Sequence, residues 1–138
     1  MSKPLPAQLT QLRAHLDTLL ITAPTLRWVD NDPIRFPRGV PSADDREIVA
    51  IYAALMAYGR VSSIGKAITD AQARMGDRPA QACAADSEDQ ARNRFKGFVY
   101  RVTRGVDLAR LWLGLGHLLR THGSILTALE TFDDPKSS

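Results

Sequence analysis

Val106-Asp107-Leu108-Ala109-Arg110-Leu111-Trp112-Leu113-Gly114-Leu115-Gly116-His117-Leu118-Leu119-Arg120-Thr121 decides the fold class. Leu108, Leu111, Trp112, Leu115, Leu118 and Leu119 recur every three or four residues, the spacing that gathers side chains on one face of an α-helix. Gly123 follows as a stop, and Asp107 near the start with Arg120 and His122 near the end suits the helix dipole. Gly114 and Gly116 have no strand before them, so close helix packing accounts for them better than a dinucleotide loop. No strand-like alternation is sustained elsewhere, which predicts an all-α, compact multi-helix domain.

Further helices follow on either side. Leu9, Leu12, Leu16, Leu19 and Leu20 form one stripe over residues 7–21, with Gln11, Arg13 and Asp17 turned outward. Its polar face is not basic enough for a membrane-lying helix, so residues 1–24 read as an amphipathic N-terminal arm of the kind that covers a core. Pro24, Pro33, Pro37 and Pro41 then interrupt the pattern, which predicts an irregular, extended connector pinned by Trp28, Ile34 and Phe36. Ser42-Ala43-Asp44-Asp45 opens a second helix, to about residue 58, with Ile48, Ile51, Tyr52 and Leu55 as its large-residue stripe and Asp44, Asp45 and Glu47 near its positive end. A third helix spans residues 61–75, capped by Ser62 or Ser63 and ended by Gly76, with Pro79 beyond. Residues 76–89 read as a surface turn or short helix. Phe95, Phe98, Val99 and Val102 stand at helical spacing around Gly97, and a short last helix covers residues 124–131. The helical domain is thus residues 25–132, and residues 133–138 fray into solvent.

The chain has 138 residues, 18 Lys and Arg against 15 Asp and Glu, and 44% apolar residues. One ordinary domain of this composition buries a modest core and is neither a disordered tail nor a low-complexity linker. Cys83 is the only cysteine and cannot close an internal disulfide, so a reduced cytoplasmic setting is expected. No apolar run approaches membrane-spanning length, which argues against a membrane partner.

Short motifs that suggest chemistry fail on inspection. Gly59-Arg60-Val61-Ser62-Ser63-Ile64-Gly65-Lys66-Ala67 holds five residues between its glycines where a phosphate loop needs four, and Ala67 stands where a magnesium-binding hydroxyl is required. Ser63-Ile64-Gly65-Lys66 matches the serine and lysine spacing of penicillin-recognising enzymes, but the Ser-Asp-Asn and Lys-Thr-Gly elements are missing. Ile34 breaks a calcium-loop pattern in Asp30-Asn31-Asp32-Pro33-Ile34. His15, His117 and His122 are dispersed. No catalytic residue, metal ligand or cofactor is therefore assigned.

Charge is distributed more informatively. Residues 92–120 hold Arg92, Arg94, Lys96, Arg101, Arg104, Arg110 and Arg120 against Asp107 alone, leaving eleven basic and fourteen acidic residues elsewhere. With Phe95, Phe98, Val99 and Val102 facing the core, Arg94, Arg101 and Arg104 share an outer region near Lys96 and Tyr100. Such a face suits a phosphate backbone of DNA or RNA. The competing reading is a solvated surface paired with the acidic run Asp86, Glu88 and Asp89.

Three blocks resemble a bacterial family, domain-of-unknown-function family 2400. They are Asp32-Pro33-Ile34-Arg35-Phe36-Pro37; Asp45-Arg46-Glu47-Ile48-Val49-Ala50 through Ala53-Ala54-Leu55-Met56-Ala57-Tyr58-Gly59-Arg60; and Phe95-Lys96-Gly97-Phe98-Val99-Tyr100-Arg101 with Arg104-Gly105-Val106-Asp107-Leu108. Members of that family continue past this length, so the resemblance implies an N-terminal half. The family's helical layout is in turn similar to the helix-hairpin-helix DNA glycosylases, whose DNA-binding hairpin and catalytic residue have no counterpart here. That similarity implies at most a helical subdomain supplying basic contacts from Arg35, Arg60, Lys66, Arg101 and Arg104. The expected function is weak nucleic-acid binding without catalysis. The alternative is a non-enzymatic fragment that self-associates or is completed by a missing half through exposed apolar faces of the second helix or of residues 108–119.

Overall fold

The computed structural model describes residues 7–22 and 30–133. The chain divides into two units, Met1–Asp30 and Asn31–Ser138. In the first, α1 (Ala7–Thr22) forms where the leucine repeat predicts it. Its stripe is not buried: Leu9, Leu12, Leu16, Leu19 and Leu20 are all exposed. Local bonds support the helix, the Thr18 hydroxyl donating to the Ala14 carbonyl at 2.9 Å and Arg13 lying 3.9 Å from Asp17. Trp28 lies outside the described residues.

The second unit contains α2 (Arg35–Arg38), α3 (Ala43–Leu55), α4 (Val61–Met75), α5 (Pro79–Ala85), α6 (Glu88–Arg94), a hairpin of β1 (Val99–Tyr100) and β2 (Thr103–Arg104), α7 (Gly105–His122) and α8 (Ile125–Asp133). α7 packs against α5, α6 and α8, and α3 packs against α2, α4, α5 and α8. At the centre, Tyr52 stacks on Phe95 with 5.8 Å between ring centroids, and Trp112 meets both rings edge-on. Ile48, Val49, Met56, Ile68, Met75 and Phe98 close the core around these rings. The Tyr52 hydroxyl is satisfied inside by the Leu108 carbonyl at 2.8 Å. Burial of a large aromatic set is the main favourable term in so small a unit.

Glycine placement sets how closely the helices approach. A Cβ on Gly116 would stand 2.1 Å from the Cys83 carbonyl oxygen, so α5 and α7 touch backbone to backbone. Gly114 faces open space, and packing does not explain it. Two carboxylates of α3 join distant elements. Asp45 Oδ1 accepts from the Ala80 N–H at 2.8 Å in the first turn of α5, and Glu47 Oε2 accepts from the Ile125 N–H at 2.7 Å at the start of α8. Only Ser42 caps α3 itself, its Oγ accepting from the Asp45 N–H.

The structure departs from the sequence reading in five places. The connector is not extended throughout, because Asp32 Oδ1 accepts from the Ile34 N–H at 2.8 Å and starts the turn that leads into α2. α3 ends at Leu55, whose side chain points outward, while Val49 and Met56 enter the core. α4 begins at Val61 after Arg60 without a side-chain cap, so neither Ser62 nor Ser63 caps it. Pro79 opens α5, where a missing N–H costs nothing. The fifth departure is the largest: residues 95–102 do not continue as a helix. Gly97 at φ 78° and Arg101 at φ 53° turn the backbone into a hairpin, leaving Phe95 and Phe98 buried but Val99 and Val102 exposed. Gly105 enforces this path, since a Cβ there would meet the Phe95 carbonyl oxygen at 2.0 Å. At the far end α8 reaches Asp133, and residues 134–138 lie outside the described set.

Candidate nucleic-acid interface

The hairpin corner is built on a reciprocal tyrosine clasp. The Tyr100 hydroxyl donates to the Tyr58 carbonyl, and the Tyr58 hydroxyl donates to the Tyr100 carbonyl at 3.3 Å and pairs with Thr103 Oγ1 at 2.9 Å. These bonds fasten the strands to the loop between α3 and α4. Register pairs Val99 with Arg104 and Tyr100 with Thr103, leaving Arg101 and Val102 as the two-residue tip. Arg101 is the one non-glycine residue with positive φ among those described, a conformation that costs L-residues about 1–2 kcal/mol.

That backbone aims the Arg101 guanidinium back over the Tyr58 ring, 5.9 Å from its centroid. Gly59, at φ 107°, has no side chain to obstruct it: a Cβ there would lie 2.9 Å from Arg101 Nη1. Arg104 Nη1 donates to the Arg101 carbonyl at 3.3 Å, and Arg60 follows Gly59 at the head of α4. Arg60, Arg101 and Arg104 are exposed and form no ion pair among the described residues.

The other expected cations are placed differently. Arg35 and Lys66 line a groove of about 490 Å³ between the residue 31–35 turn and α4. Arg94 lies inward. Its Nε and Nη2 donate to the Asp86 carboxylate at 2.7 and 3.0 Å, and Nη1 donates to the Arg74 carbonyl at 3.0 Å. Trp112 Nε1 donates to the same carboxylate at 2.8 Å. Burial would raise the Asp86 pKa, but the bonds from Arg94 and Trp112 and the Arg94 charge outweigh it and hold the carboxyl below its ordinary value. Arg92 pairs with Glu88 at 2.6 Å, and Arg120 donates to the Ala84 carbonyl. Residues 92–120 therefore do not present one basic wall: Arg92 and Arg94 are neutralised, and Arg120 lies about 24 Å along α7 from Arg104.

Residues 32–138 match the family described as Protein of unknown function (DUF2400). The chain belongs to that family. No curated relative and no solved structure matches it. In this DUF2400 chain, the residue blocks that carry the likeness fall on the turn into α2, on α3 with the tyrosine corner, and on the hairpin with the start of α7.

Other chemistry has little support around these elements. Cys83 is buried, its thiol donates to the Trp112 carbonyl at 2.9 Å, and burial pushes its pKa up to about 12, so it is a poor nucleophile. No group of three His, Cys, Asp or Glu that could hold a metal occurs among the described residues, and no described helix is long and apolar enough to cross a membrane. Sequence reasoning singled out Arg60, Arg101 and Arg104 but missed Tyr58 and Gly59, which seat the Arg101 guanidinium. The signal available was Tyr58-Gly59-Arg60 at the end of an apolar helix.

Proposed function

We propose that this DUF2400 chain is a non-enzymatic, cytoplasmic nucleic-acid-binding domain whose phosphate contacts come from Arg60, Arg101 and Arg104. The observation that carries the reading is Arg101 itself. A charged residue held in the left-handed region and laid on a tyrosine ring, with the Arg104 guanidinium bonded to its carbonyl, is strain retained at an exposed site. Arginine presents a planar fork suited to phosphate oxygens. The resemblance to helix-hairpin-helix DNA glycosylases, an expectation from the sequence, implies the same partner class and no catalytic residue. Arg94 is left out of the contact set because Asp86 already occupies it.

Fluorescence anisotropy with labelled duplex and single-stranded oligonucleotides at varied salt tests this reading. Three duplex phosphate contacts predict a slope of log affinity against log salt of about −2.7. Replacing Arg60, Arg101 and Arg104 together by Gln should abolish binding. Absence of binding at low salt, or a slope near zero, overturns the reading.

One observation favours a second reading, in which the unit completes or pairs with another polypeptide. α8 buries Ile125 and Ala128 but leaves Leu126, Leu129 and Phe132 exposed on its other side. On α3 Leu55 is exposed, and on α7 Leu111, Leu113 and Leu118 are only partly buried while Leu108, Trp112, Leu115 and Leu119 are buried. Light scattering that gives a monomer with no dye-binding apolar surface removes this alternative.

A further inference from the structure

We propose that the tip of the β1–β2 hairpin is an apolar wedge, with Val102 at its point, that enters the minor groove of double-helical DNA and partly opens one base step. This rests on the nucleic-acid reading above and deepens it by naming the partner as a deformable duplex. Val102 is 84% exposed and Val99 on β1 is 62% exposed, although the hairpin that carries them is fastened to the core. The register explains how they come to project. Tyr100 and Thr103 face each other across the hairpin and both bond to Tyr58, so that side is turned inward. Val99 and Arg104 form the other cross-strand pair, and both are exposed. At the tip, Arg101 is folded back over the Tyr58 ring, and Val102 is left bare to solvent.

Local turn chemistry accounts for neither tip residue. A two-residue hairpin turn favours Gly, Asn or Asp where φ is positive, and Arg101 stands there at φ 53°. A β-branched side chain stabilises a hairpin when it packs on a half-buried pleated face, and Val102 has no such cover. A single exposed valine is ordinary on a protein surface. One at a projecting tip beside uncompensated guanidinium charge is the arrangement of a groove wedge, in which an apolar side chain meets the stacked bases and cations meet the bordering phosphates. Charge complementarity selects this partner. Arg104 gives its Nη1 to the Arg101 carbonyl, which leaves its charge in place, and the nearby Asp107 carboxylate is taken by the Arg104 N–H at 2.8 Å. A single strand is held by stacking on exposed rings, which the hairpin does not offer, because Tyr100 is buried and Arg101 lies over Tyr58. The wide, shallow minor groove of an RNA duplex gives a narrow tip no recess to enter.

The test titrates the full chain into two DNA duplexes, one fully paired and one with a single central mismatch, each carrying 2-aminopurine at the central step. Binding should brighten the 2-aminopurine as its stacking is lost, and the mismatched duplex, cheaper to unstack, should bind about tenfold tighter. Val102→Ser, checked for unchanged circular dichroism, should remove both the brightening and the mismatch preference. Its affinity for the paired duplex should stay within about threefold of the parent, because phosphate contacts supply most of that binding. Duplex binding with neither signal, or both signals surviving in Val102→Ser, overturns the wedge and leaves the phosphate contacts standing. No duplex binding at low salt overturns the wedge and the nucleic-acid reading together. Co-sedimentation with phosphatidylglycerol vesicles that is lost in Val102→Ser, with both duplex signals absent, would assign the tip to a lipid surface and overturn the proposal.

Discussion

Tyr58 and Tyr100 exchange hydrogen bonds, each hydroxyl donating to the other's backbone carbonyl, with 5.2 Å between the ring centroids. The pair joins residues 42 positions apart and converts a six-residue hairpin, too short to persist alone, into a fixed part of the surface. Arg101, Thr103 and Arg104 all take their positions from that joint.

Tyr100→Phe keeps the buried ring and removes one donor, leaving the Tyr58 carbonyl without that bond. It should lower stability by about 1 kcal/mol in urea unfolding and weaken oligonucleotide binding, because the hairpin loosens. A variant that loses stability but binds unchanged would separate the clasp from the interface.

Arg101→Gly relieves the left-handed strain and should raise stability by up to about 1 kcal/mol, while oligonucleotide affinity falls. Opposite signs in the two measurements distinguish a residue retained for contact from one retained for folding. Parallel signs would count against the role assigned to Arg101.

Asp86 makes the fold acid-sensitive in a defined direction. Its carboxyl titrates lower in the folded chain than in the unfolded one, so its stabilisation is complete above the unfolded carboxylate value and fades as pH falls through the lowered folded value. Thermal unfolding between pH 6 and pH 2 should show that loss. Asp86→Ala should flatten it and cost about 3 kcal/mol, because the side chain of Asp86 is 8% exposed and its removal leaves the Arg94 charge and the Trp112 N–H without their acceptor.

Gly116→Ala and Gly114→Ala, two positions apart on α7, should differ in sign. A methyl at Gly116 collides with the Cys83 backbone and should destabilise by about 3 kcal/mol or prevent folding, whereas one at Gly114 meets open space and should stabilise the helix by about 1 kcal/mol. Thermal midpoints of the two variants check this directly.

Cys83 should resist iodoacetamide in the folded chain at pH 8 and react once urea unfolds it, since burial opposes its thiolate. Rapid labelling of the native protein would contradict its placement between α5 and α7.

How far the sequence could be read follows from how local each cause is. The bounds of α4, residues 61–75, and the body of α7 were legible because repeating apolar positions, a glycine stop and end charges act within a few turns of the chain. Phe95, Phe98, Val99 and Val102 show the same spacing, yet they form a turn and hairpin. What overrides the spacing there is Gly105 pressed against the Phe95 carbonyl and Tyr100 bonded to Tyr58, neither of which is local. Likewise the charges of Asp45, Glu47 and Arg94 were visible, but not their partners at Ala80, Ile125 and Asp86. Sequence alone determined that the chain is helical and where its cations stand along it. Tertiary structure decided which cations are already neutralised and which remain exposed, because a charge's partner depends on what packs opposite it, and a one-dimensional pattern does not contain that distance.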